Sequence, residues 1–342
     1  MEQKAKVAVI GAGSFGIALA RLLANKGCDV SVYTRSKENA KEISASRQNV
    51  DKLPGVMLPE GVTVTSDMEE ACREKEAFVV VVPSVGFRKT LERMKPYVKK
   101  REEGFPPVIS CTKGIEQDTL FLMTDVIKQV LPEAAAVVLS GPTHAEEVGR
   151  DLPTAIVAGA ENEEIAKAVQ DLFMTPTFRV YTSTDVTGIE TGGALKNVIA
   201  LAAGIADGMG YGDNAKAAMI TRGVYEMTRL GTGMGGYEST FSGLSGIGDL
   251  IVTCASMHSR NRRAGILIGK GMSCEEACKE VKMVVEGVNS ARAAHALSVK
   301  YGVEMPIVSA VNRVLFEGLS PREAVEALML RDKKSESGGR VQ

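Results

Sequence analysis

The first half of the chain alternates short apolar runs with longer segments of helical spacing. Val7 to Ile10 and Phe78 to Val82 are continuously apolar, which is typical of strands buried on both faces. Gly16 to Lys26 carries apolar residues at helical spacing, and Asp29 to Thr34 alternates as a strand does. Further strands are predicted at 108–111, 137–139, 154–159 and 178–182, and a helix at 119–131. Strands that alternate with helices predict a parallel, doubly wound α/β sheet.

Beyond about residue 185 the pattern is that of helices alone. Residues 186–207 are rich in Ala, Gly, Leu and Ile, and Ser320 with Pro321 form the cap and first position of a last helix. Other helices are predicted at 215–230, 262–269, 273–281, 290–301 and 306–316. We therefore predict three parts: a sheet domain at 1–185, an all-helical domain at 186–330 and a disordered polar tail at 331–342.

Length, charge and cysteine usage narrow the class of protein. A chain of 342 residues suggests about two domains. The net charge of −1 argues against nucleic acid or a membrane surface as a partner, because both usually select a basic excess. No stretch reaches the roughly 18 uninterrupted apolar residues of a membrane span, and the six cysteines include no CxxC pair, which favours a cytoplasmic protein with reduced thiols. The three histidines lie in unrelated places, so we expect no metal site.

Three glycines follow the first predicted strand and open the first predicted helix. In that context Gly11-Ala12-Gly13-Ser14-Phe15-Gly16 is a specific signal for a Rossmann-type dinucleotide site. Gly11 allows a tight turn, Gly13 lets the backbone approach a pyrophosphate, and Gly16 lets helix and strand pack closely. The unpaired N–H groups at the helix N-terminus are available to the phosphates.

The second predicted strand ends in Tyr33-Thr34-Arg35-Ser36. An NAD-specific site usually has an acidic residue here, which binds the ribose 2′-hydroxyl. Arg35 suits a 2′-phosphate instead, and Ser36 would add a hydrogen bond. The sequence thus favours NADP(H) over NAD(H), with a solvent-exposed arginine at a strand end as the alternative.

Polar groups follow two later strands, at the edge of the sheet where doubly wound folds bind ligands. Lys113, in 110–114, would place a positive charge in that crevice. The segment 140–145 follows the next strand and contains Gly141, Thr143, His144 and Ala145. His144 is a candidate general acid, although a single loop histidine is more often a structural residue.

Lys196 lies in the segment 192–200, which is otherwise nearly free of charge. A lysine in such surroundings is paired, snorkelling or functional. Burial and a nearby second cation both lower a lysine pKa, and Lys113 would be that cation if the fold brings the two together. A fall from about 10.4 to about 7–8 would make Lys196 a usable proton donor or acceptor. Asp249, an isolated carboxylate that follows glycines, would orient Lys196.

Ser259, Arg260 and Asn261 stand just before a predicted helix, which is a good place to bind phosphate. The alternative is that Ser259 only caps that helix. Any anion that the chain binds must be held by a few placed groups of this kind, because the net charge provides no attractive field.

Taken together, these residues resemble bacterial-type NAD(P)-dependent glycerol-3-phosphate dehydrogenase from Val7 to about Leu328. The most specific stretches are 192–222, 243–254 and 259–261. The resemblance implies hydride transfer between NADP(H) or NAD(H) and dihydroxyacetone phosphate or sn-glycerol 3-phosphate, with Lys196 as the proton donor or acceptor. It also implies a cytoplasmic homodimer that supplies glycerophospholipid synthesis.

The resemblance implies roles for individual residues. The substrate would be bound by Lys113, Gly141, Thr143, Lys196, Asp249, Ser259, Arg260 and Asn261. The cofactor would be contacted by the three glycines of the N-terminal motif and by Ser14, Phe15, Arg35, Lys113, Ala145, Arg260, Val284 and Glu286. Two positions depart from the family pattern: Phe15 replaces a tryptophan or tyrosine, and Lys52 replaces an aromatic residue and would support phosphate binding near the adenosine end.

Two other functions fit the sequence. A β-hydroxyacid or 6-phosphogluconate-type dehydrogenase shares a glycine-rich helix with a catalytic lysine, and activity on a hydroxy acid without phosphate, independent of Arg260, would favour it. A non-catalytic dinucleotide sensor would bind NADP(H) but would have no use for Lys113, Lys196 and Asp249 together.

Overall fold

The structure is a computed structural model that describes residues 4–102, 104–333 and 335–336. These residues form the strands β1 (Lys6–Ile10), β2 (Asp29–Tyr33), β3 (Thr63–Thr65), β4 (Ala77–Val80), β5 (Val108–Ser110), β6 (Ala136–Ser140), β7 (Thr154–Gly159) and β8 (Phe178–Ser183). The strands make one sheet in the order β3-β2-β1-β4-β5-β6-β7-β8. Neighbours are parallel except β6 and β7, which are antiparallel.

The sheet is therefore mixed, and the prediction of a parallel sheet is wrong at one pair of strands. β6 and β7 are joined by a segment whose helix spans only Ala145–Val148. A helix of four residues is about 6 Å long, too short to carry the chain back along the sheet, so β7 starts near the end of β6 and runs the other way. β3 was not predicted, because Thr63–Thr65 offers too few residues to show an alternation.

The centre of the sheet is apolar on both faces, as the continuous apolar runs predict. Along β1, Val7 and Val9 pack into one hydrophobic cluster while Ala8 and Ile10 pack into another. All four side chains are fully buried. Neighbouring strands, loops and helices on both faces provide the rest of the two clusters, and this arrangement is the doubly wound sheet that the sequence predicts.

The helices divide between the two halves of the chain. The sheet half contains α1 (Ser14–Asn25), α2 (Lys37–Ser46), α3 (Met68–Cys72), α4 (Phe87–Met94), α5 (Met123–Val130), α6 (Ala145–Val148) and α7 (Glu163–Phe173). The second half contains α8 (Val186–Gly208), α9 (Asp213–Gly233), α10 (Glu238–Phe241), α11 (Asp249–Ala255), α12 (Arg260–Gly269), α13 (Cys274–Val281), α14 (Glu286–Lys300), α15 (Pro306–Phe316) and α16 (Pro321–Met329). Short 3-10 turns lie at Ser84–Gly86 and Lys95–Tyr97, and a π-helical turn lies at Leu244–Gly248. An all-helical second half is thus confirmed.

Helix α8 is the axis of the helical half, and nearly all of its 23 residues are buried. Glycines bring α8 and α12 into close contact. A Cβ added to Gly204 would lie 2.2 Å from the carbonyl oxygen of Arg262, and one added to Gly265 would lie 2.2 Å from that of Leu201. This packing fixes the N-terminus of α12 relative to the middle of α8, where Lys196 lies.

Some helix boundaries differ from the predicted ones. α14 begins at Glu286 rather than Ser290, and α5 begins at Met123 rather than Thr119. α2 was not predicted, because it buries only Ala40 and Ile43 and so shows little apolar periodicity. The predicted cap of α16 is confirmed, since the Ser320 hydroxyl accepts a hydrogen bond from a backbone N–H of the first turn.

The ends of the two predicted domains are marked by polar contacts. Asp185 caps α8 by accepting a hydrogen bond of 2.9 Å from the Gly188 N–H, and this position supports our proposal that the helical domain begins near residue 185. In the predicted tail, Arg331 forms an ion pair with Glu304, and residues 334 and 337–342 lie outside the described residues. No helix in the described part of the chain is long and apolar enough to cross a membrane.

We expect Gly204→Ala to destabilise the protein by ~1–3 kcal/mol, because the new methyl group has no room against α12. Thermal unfolding followed by circular dichroism should show a transition several degrees lower. Gly61→Ala is the matched control, because a Cβ at Gly61 meets no atom within 4 Å. Equal melting temperatures for the two variants would contradict the close packing of α8 and α12.

Candidate active site

A cleft of about 690 Å³ opens where the carboxyl ends of the central strands face the helical half. Its walls combine loops that follow β1, β4, β5 and β6 with residues of α8, α11, α12 and the segment before α14. The predicted site residues that line it are Gly13, Ser14, Phe15, Lys113, Thr143, Ala145, Lys196, Asp249, Ser259, Arg260, Asn261, Val284 and Glu286. Gly11, Gly16, Arg35 and Gly141 do not line this cleft.

Two lysines share one buried carboxylate at the centre of the cleft. Lys196 Nζ donates to Asp249 Oδ1 at 2.9 Å, and Lys113 Nζ donates to Asp249 Oδ2 at 2.6 Å. Lys196 comes from the middle of α8, Asp249 is the first residue of α11, and Lys113 follows β5. The cluster therefore joins the sheet half to the helical half.

Burial and charge set the protonation of this cluster. Burial lowers the pKa of Lys196 to about 8, the positive charge of Lys113 adds to the shift, and Asp249 opposes it. Burial alone would raise the pKa of the Asp249 carboxyl, but Lys113 and Lys196 together hold it below its ordinary value. Lys196 can therefore gain and lose a proton near neutral pH, while Asp249 stays ionised beside it.

Thr253 is a further contact of Lys196 that sequence reasoning missed. The Thr253 hydroxyl accepts a hydrogen bond of 2.8 Å from Lys196 Nζ and donates one of 2.6 Å to the backbone carbonyl of Asp249. Thr253 lies four residues after Asp249, one turn along α11, so the helical spacing was the available signal. Asp249 and Thr253 each accept one N–H of the Lys196 ammonium group, so the directions of two of its N–H bonds are fixed.

Asn197 was also missed, and it links three elements around the cleft. Its amide nitrogen donates to the backbone carbonyl of Lys113 at 3.0 Å, and its amide oxygen accepts from the Asn261 side chain at 2.8 Å. The Asn261 amide oxygen in turn accepts from the Gly287 N–H at 2.8 Å. These bonds hold the loop after β5, the start of α12 and the start of α14 against α8.

The glycine motif has the steric requirements that the sequence predicts. Gly11 has φ +125°, and a Cβ there would lie 2.4 Å from the Val81 carbonyl oxygen. A Cβ on Gly16 would lie 1.9 Å from the Gly11 carbonyl oxygen. Both glycines are thus required for close backbone packing within the protein.

Gly13 differs, because a Cβ there would meet no protein atom within 4 Å. Gly13 stands at the N-terminus of α1, where no side chain caps the free N–H groups. The Ser14 hydroxyl donates to the Lys52 carbonyl at 2.7 Å, and the Asn49 amide donates to the Ala12 carbonyl at 2.8 Å, so the turn is held in place. An open backbone with unpaired donors at a helix N-terminus fits a dinucleotide pyrophosphate.

Arg35 is exposed at the end of β2, outside the cleft. The neighbouring Ser36 caps α2, accepting a hydrogen bond of 3.0 Å from the Asn39 N–H, and donates to Glu38 at 2.8 Å. The Ser36 hydroxyl is therefore already engaged, and Arg35 is the more accessible of the two predicted phosphate contacts.

The loop after β6 supports the lysine cluster from the sheet side. The Gly141 carbonyl accepts from Lys113 Nζ at 2.7 Å and from the Thr143 hydroxyl at 3.0 Å. Gly141 thus orients Lys113 through its backbone and does not itself line the cleft, whereas Thr143 and Ala145 do.

His144 lines the cleft, but its environment argues against the general acid considered above. Burial, followed by the charge of Lys196, lowers the pKa of His144 below its ordinary value. Its Nε2 is buried and makes no hydrogen bond to any described residue. A neutral imidazole has little tendency to act as a proton donor at neutral pH.

Three predicted residues close the far side of the cleft. Ser259 caps α12 by accepting a hydrogen bond of 3.1 Å from the Arg262 N–H, as the alternative interpretation expects, and its hydroxyl hydrogen is left to donate. Glu286 accepts from the Ser84 N–H at 3.0 Å and from the Ser84 hydroxyl at 2.6 Å. Glu286 thereby connects the start of α14 to the loop after β4, and Val284 lies beside it in the wall.

Two family models match the two halves of the chain. The model of the NAD-dependent glycerol-3-phosphate dehydrogenase N-terminus matches residues 6–166, and that of the C-terminus matches residues 185–326. The chain belongs to the NAD-dependent glycerol-3-phosphate dehydrogenase family.

Individual members of this family are similar over nearly their full length. The glycerol-3-phosphate dehydrogenase [NAD(P)+] of Fusobacterium nucleatum is 53% identical over 97% of this chain and 98% of its own. That of Pelotomaculum thermopropionicum is 55% identical over 97% of this chain and 95% of its own. The crystal structure of glycerol-3-phosphate dehydrogenase from Coxiella burnetii is 36% identical, with a TM-score of 0.91 over 96% of this chain and 99% of that chain. Family membership decides against the hydroxyacid and sensor alternatives.

Proposed function

We propose that this glycerol-3-phosphate dehydrogenase uses Lys196 as the proton donor and acceptor in the interconversion of dihydroxyacetone phosphate and sn-glycerol 3-phosphate with NAD(P)H. The observation that carries the proposal is the shared carboxylate, with Lys196 and Lys113 at 2.9 Å and 2.6 Å from Asp249 in the cleft. It is supported by the family models, which cover both the dinucleotide half and the half that contains Lys196.

When bound, the nicotinamide cofactor supplies or accepts the hydride. In the reducing direction, protonated Lys196 donates its proton to the carbonyl oxygen as that oxygen gains negative charge. Lys113 stabilises the same charge, and Asp249 keeps both ammonium groups oriented. In the oxidising direction, neutral Lys196 accepts the hydroxyl proton. A pKa of about 8 allows Lys196 to serve both directions.

The remaining polar wall of the cleft binds the substrate in this proposal. Thr143 and Lys113 contact it from the sheet side, and Ser259, Arg260 and Asn261 contact its phosphate from the start of α12. A guanidinium and free donors at a helix N-terminus are the groups that phosphate prefers. Gly141 acts through its backbone contact with Lys113.

The cofactor lies along the glycine motif in this proposal. Gly13 and the start of α1 bind the pyrophosphate, with Gly11 and Gly16 permitting the turn. The residues that contact the rest of the dinucleotide are Ser14, Phe15, Arg35, Lys113, Ala145, Arg260, Val284 and Glu286.

We also propose that the enzyme is a cytoplasmic homodimer that supplies glycerol 3-phosphate to glycerophospholipid synthesis. All six cysteines are unpaired thiols, which supports a reducing compartment. The pathway and the dimer are supported by the resemblance to bacterial-type members of the family.

Lys196→Ala is expected to lower kcat by at least about 10²-fold, because the group that exchanges the proton is removed. The assay is the oxidation of NADPH at 340 nm with dihydroxyacetone phosphate. NADPH affinity, measured by fluorescence titration, should change little, since the proposed pyrophosphate site is at α1. The exposed Lys89→Ala is the control, and near-normal turnover by Lys196→Ala would remove Lys196 from the mechanism.

Arg35→Ala is expected to reduce the preference for NADPH over NADH by about 10- to 100-fold, the range for one charged hydrogen bond. The ratio of kcat/KM for the two cofactors, measured with dihydroxyacetone phosphate, gives the preference. Arg322→Ala removes the same charge from an exposed position on α16 and should leave the ratio unchanged. If wild type and Arg35→Ala had the same ratio of kcat/KM for NADPH and NADH, Arg35 would be a solvent-exposed residue that does not contact the cofactor.

A further inference from the structure

A second arginine, Arg263, lines the cleft beside Arg260. The two lie three residues apart on α12, so their side chains leave the same face of the helix. Arg263 Nε is buried without a hydrogen-bond partner. Within the part of the chain that the structure describes, neither guanidinium forms a hydrogen bond or an ion pair.

The two charges are close enough to affect each other. Burial lowers the pKa of the Arg260 guanidinium, Glu286 and Glu146 oppose this, and the positive charge of Arg263 adds to it. Two neighbouring cations that are partly removed from water and have no direct ion-pair partner are stabilised by an anion that binds both. The pair is therefore arranged for an anionic ligand.

The described acidic residues that line the cleft act on Arg260 from a distance, and none of them forms an ion pair with either arginine. The described lining contains three carboxylates. Asp249 binds the two lysines, Glu286 binds Ser84, and Glu146 lies 3.9 Å from the His258 ring. The two guanidinium groups therefore remain available to bind an anionic molecule.

The cleft as a whole also has an excess of positive charge. Its cationic lining residues are Lys52, Lys113, Lys196, Arg260, Arg263 and Lys282. Against three carboxylates, these six leave an excess of three positive charges in a chain whose net charge is −1. Such local concentration favours a ligand with a dianionic group.

We propose that Arg263 is a second guanidinium for the substrate phosphate, binding it together with Arg260 and setting the specificity for a phosphorylated substrate. This inference rests on the proposed function. A phosphate dianion has enough acceptor oxygens to bind two planar guanidinium groups, each through two N–H donors. Each guanidinium contributes a positive charge and a defined hydrogen-bond geometry.

The position of Arg263 favours the substrate phosphate over the cofactor pyrophosphate. Asn261, two residues before Arg263, donates to Asn197 at 2.8 Å, and Asn197 adjoins Lys196. The start of α12 is thus tied to the residue next to the proposed proton donor. The open backbone suited to a pyrophosphate lies at Gly13, in the other half of the chain.

The kinetic test compares wild type, Arg263→Ala, Arg263→Lys and the exposed control Arg322→Ala. We expect Arg263→Ala to raise the KM for dihydroxyacetone phosphate by about 10- to 100-fold, as the loss of one charged hydrogen bond does. kcat should change less than about threefold, because the phosphate lies away from the reacting carbon. Arg263→Lys should restore part of the affinity, since it keeps the charge but loses the fork.

A binding test needs no turnover, so it separates this inference from the proposed reaction. Inorganic phosphate should raise the melting temperature of wild type more than that of Arg263→Ala, at ionic strength matched with chloride, while NADPH affinity should be equal. An unchanged KM and unchanged phosphate protection would overturn the proposal. So would a loss of NADPH affinity with an unchanged KM, because Arg263 would then serve the dinucleotide. The wild-type enzyme could show no turnover while inorganic phosphate still raised its melting temperature more than that of Arg263→Ala. That result would refute the proposed reaction and support the anion site.

Discussion

The Asp249 carboxylate accepts hydrogen bonds from two lysines that reach it from different halves of the chain. Burying this carboxylate without partners would be costly, and so would burying Lys196, so each group depends on the others. Because one carboxylate serves two ammonium groups, the cluster retains an excess positive charge. That excess suits an oxygen that gains negative charge during reduction of a ketone.

The fold holds these groups in register through close backbone packing. Gly204 and Gly265 allow α8 and α12 to approach so closely that the start of α12 has a fixed position along α8. Asn197 then ties the same stretch of α8 to the loop that carries Lys113. Lys196 and the two arginines therefore lie on packed helices to which the Lys113 loop is tied, whereas the glycine motif at α1 belongs to the sheet half.

Features with a local cause were predictable from the sequence. The apolar run of β1 and the motif from Gly11 to Gly16 each follow from nearby residues, and so does the cap at Ser320. Lys196 was singled out because a charge in an apolar segment requires an explanation.

Features that depend on distant contacts were not predictable. Asn197 and Arg263 contact residues or line a cleft that only the fold brings near them, and nothing in their own neighbourhood marks that. Thr253 has only its spacing from Asp249 as a local signal, and its contact with Lys196 depends on the fold. The antiparallel β7 depends on how far a short connection can reach. Sequence spacing could not show that the Ser36 hydroxyl is already used as a cap.

The most direct test of this account is the pH dependence of kcat/KM in both directions. With the pKa of Lys196 at about 8, reduction of dihydroxyacetone phosphate should be constant at lower pH and fall above about 8, because it needs the protonated lysine. Oxidation of glycerol 3-phosphate should fall below the same pH, because it needs the neutral lysine. Asp249→Asn should move both inflections to lower pH, since Asp249 is the group that raises the pKa of Lys196. Profiles without opposite inflections near pH 8, or inflections unmoved by Asp249→Asn, would contradict Lys196 as the proton donor and acceptor.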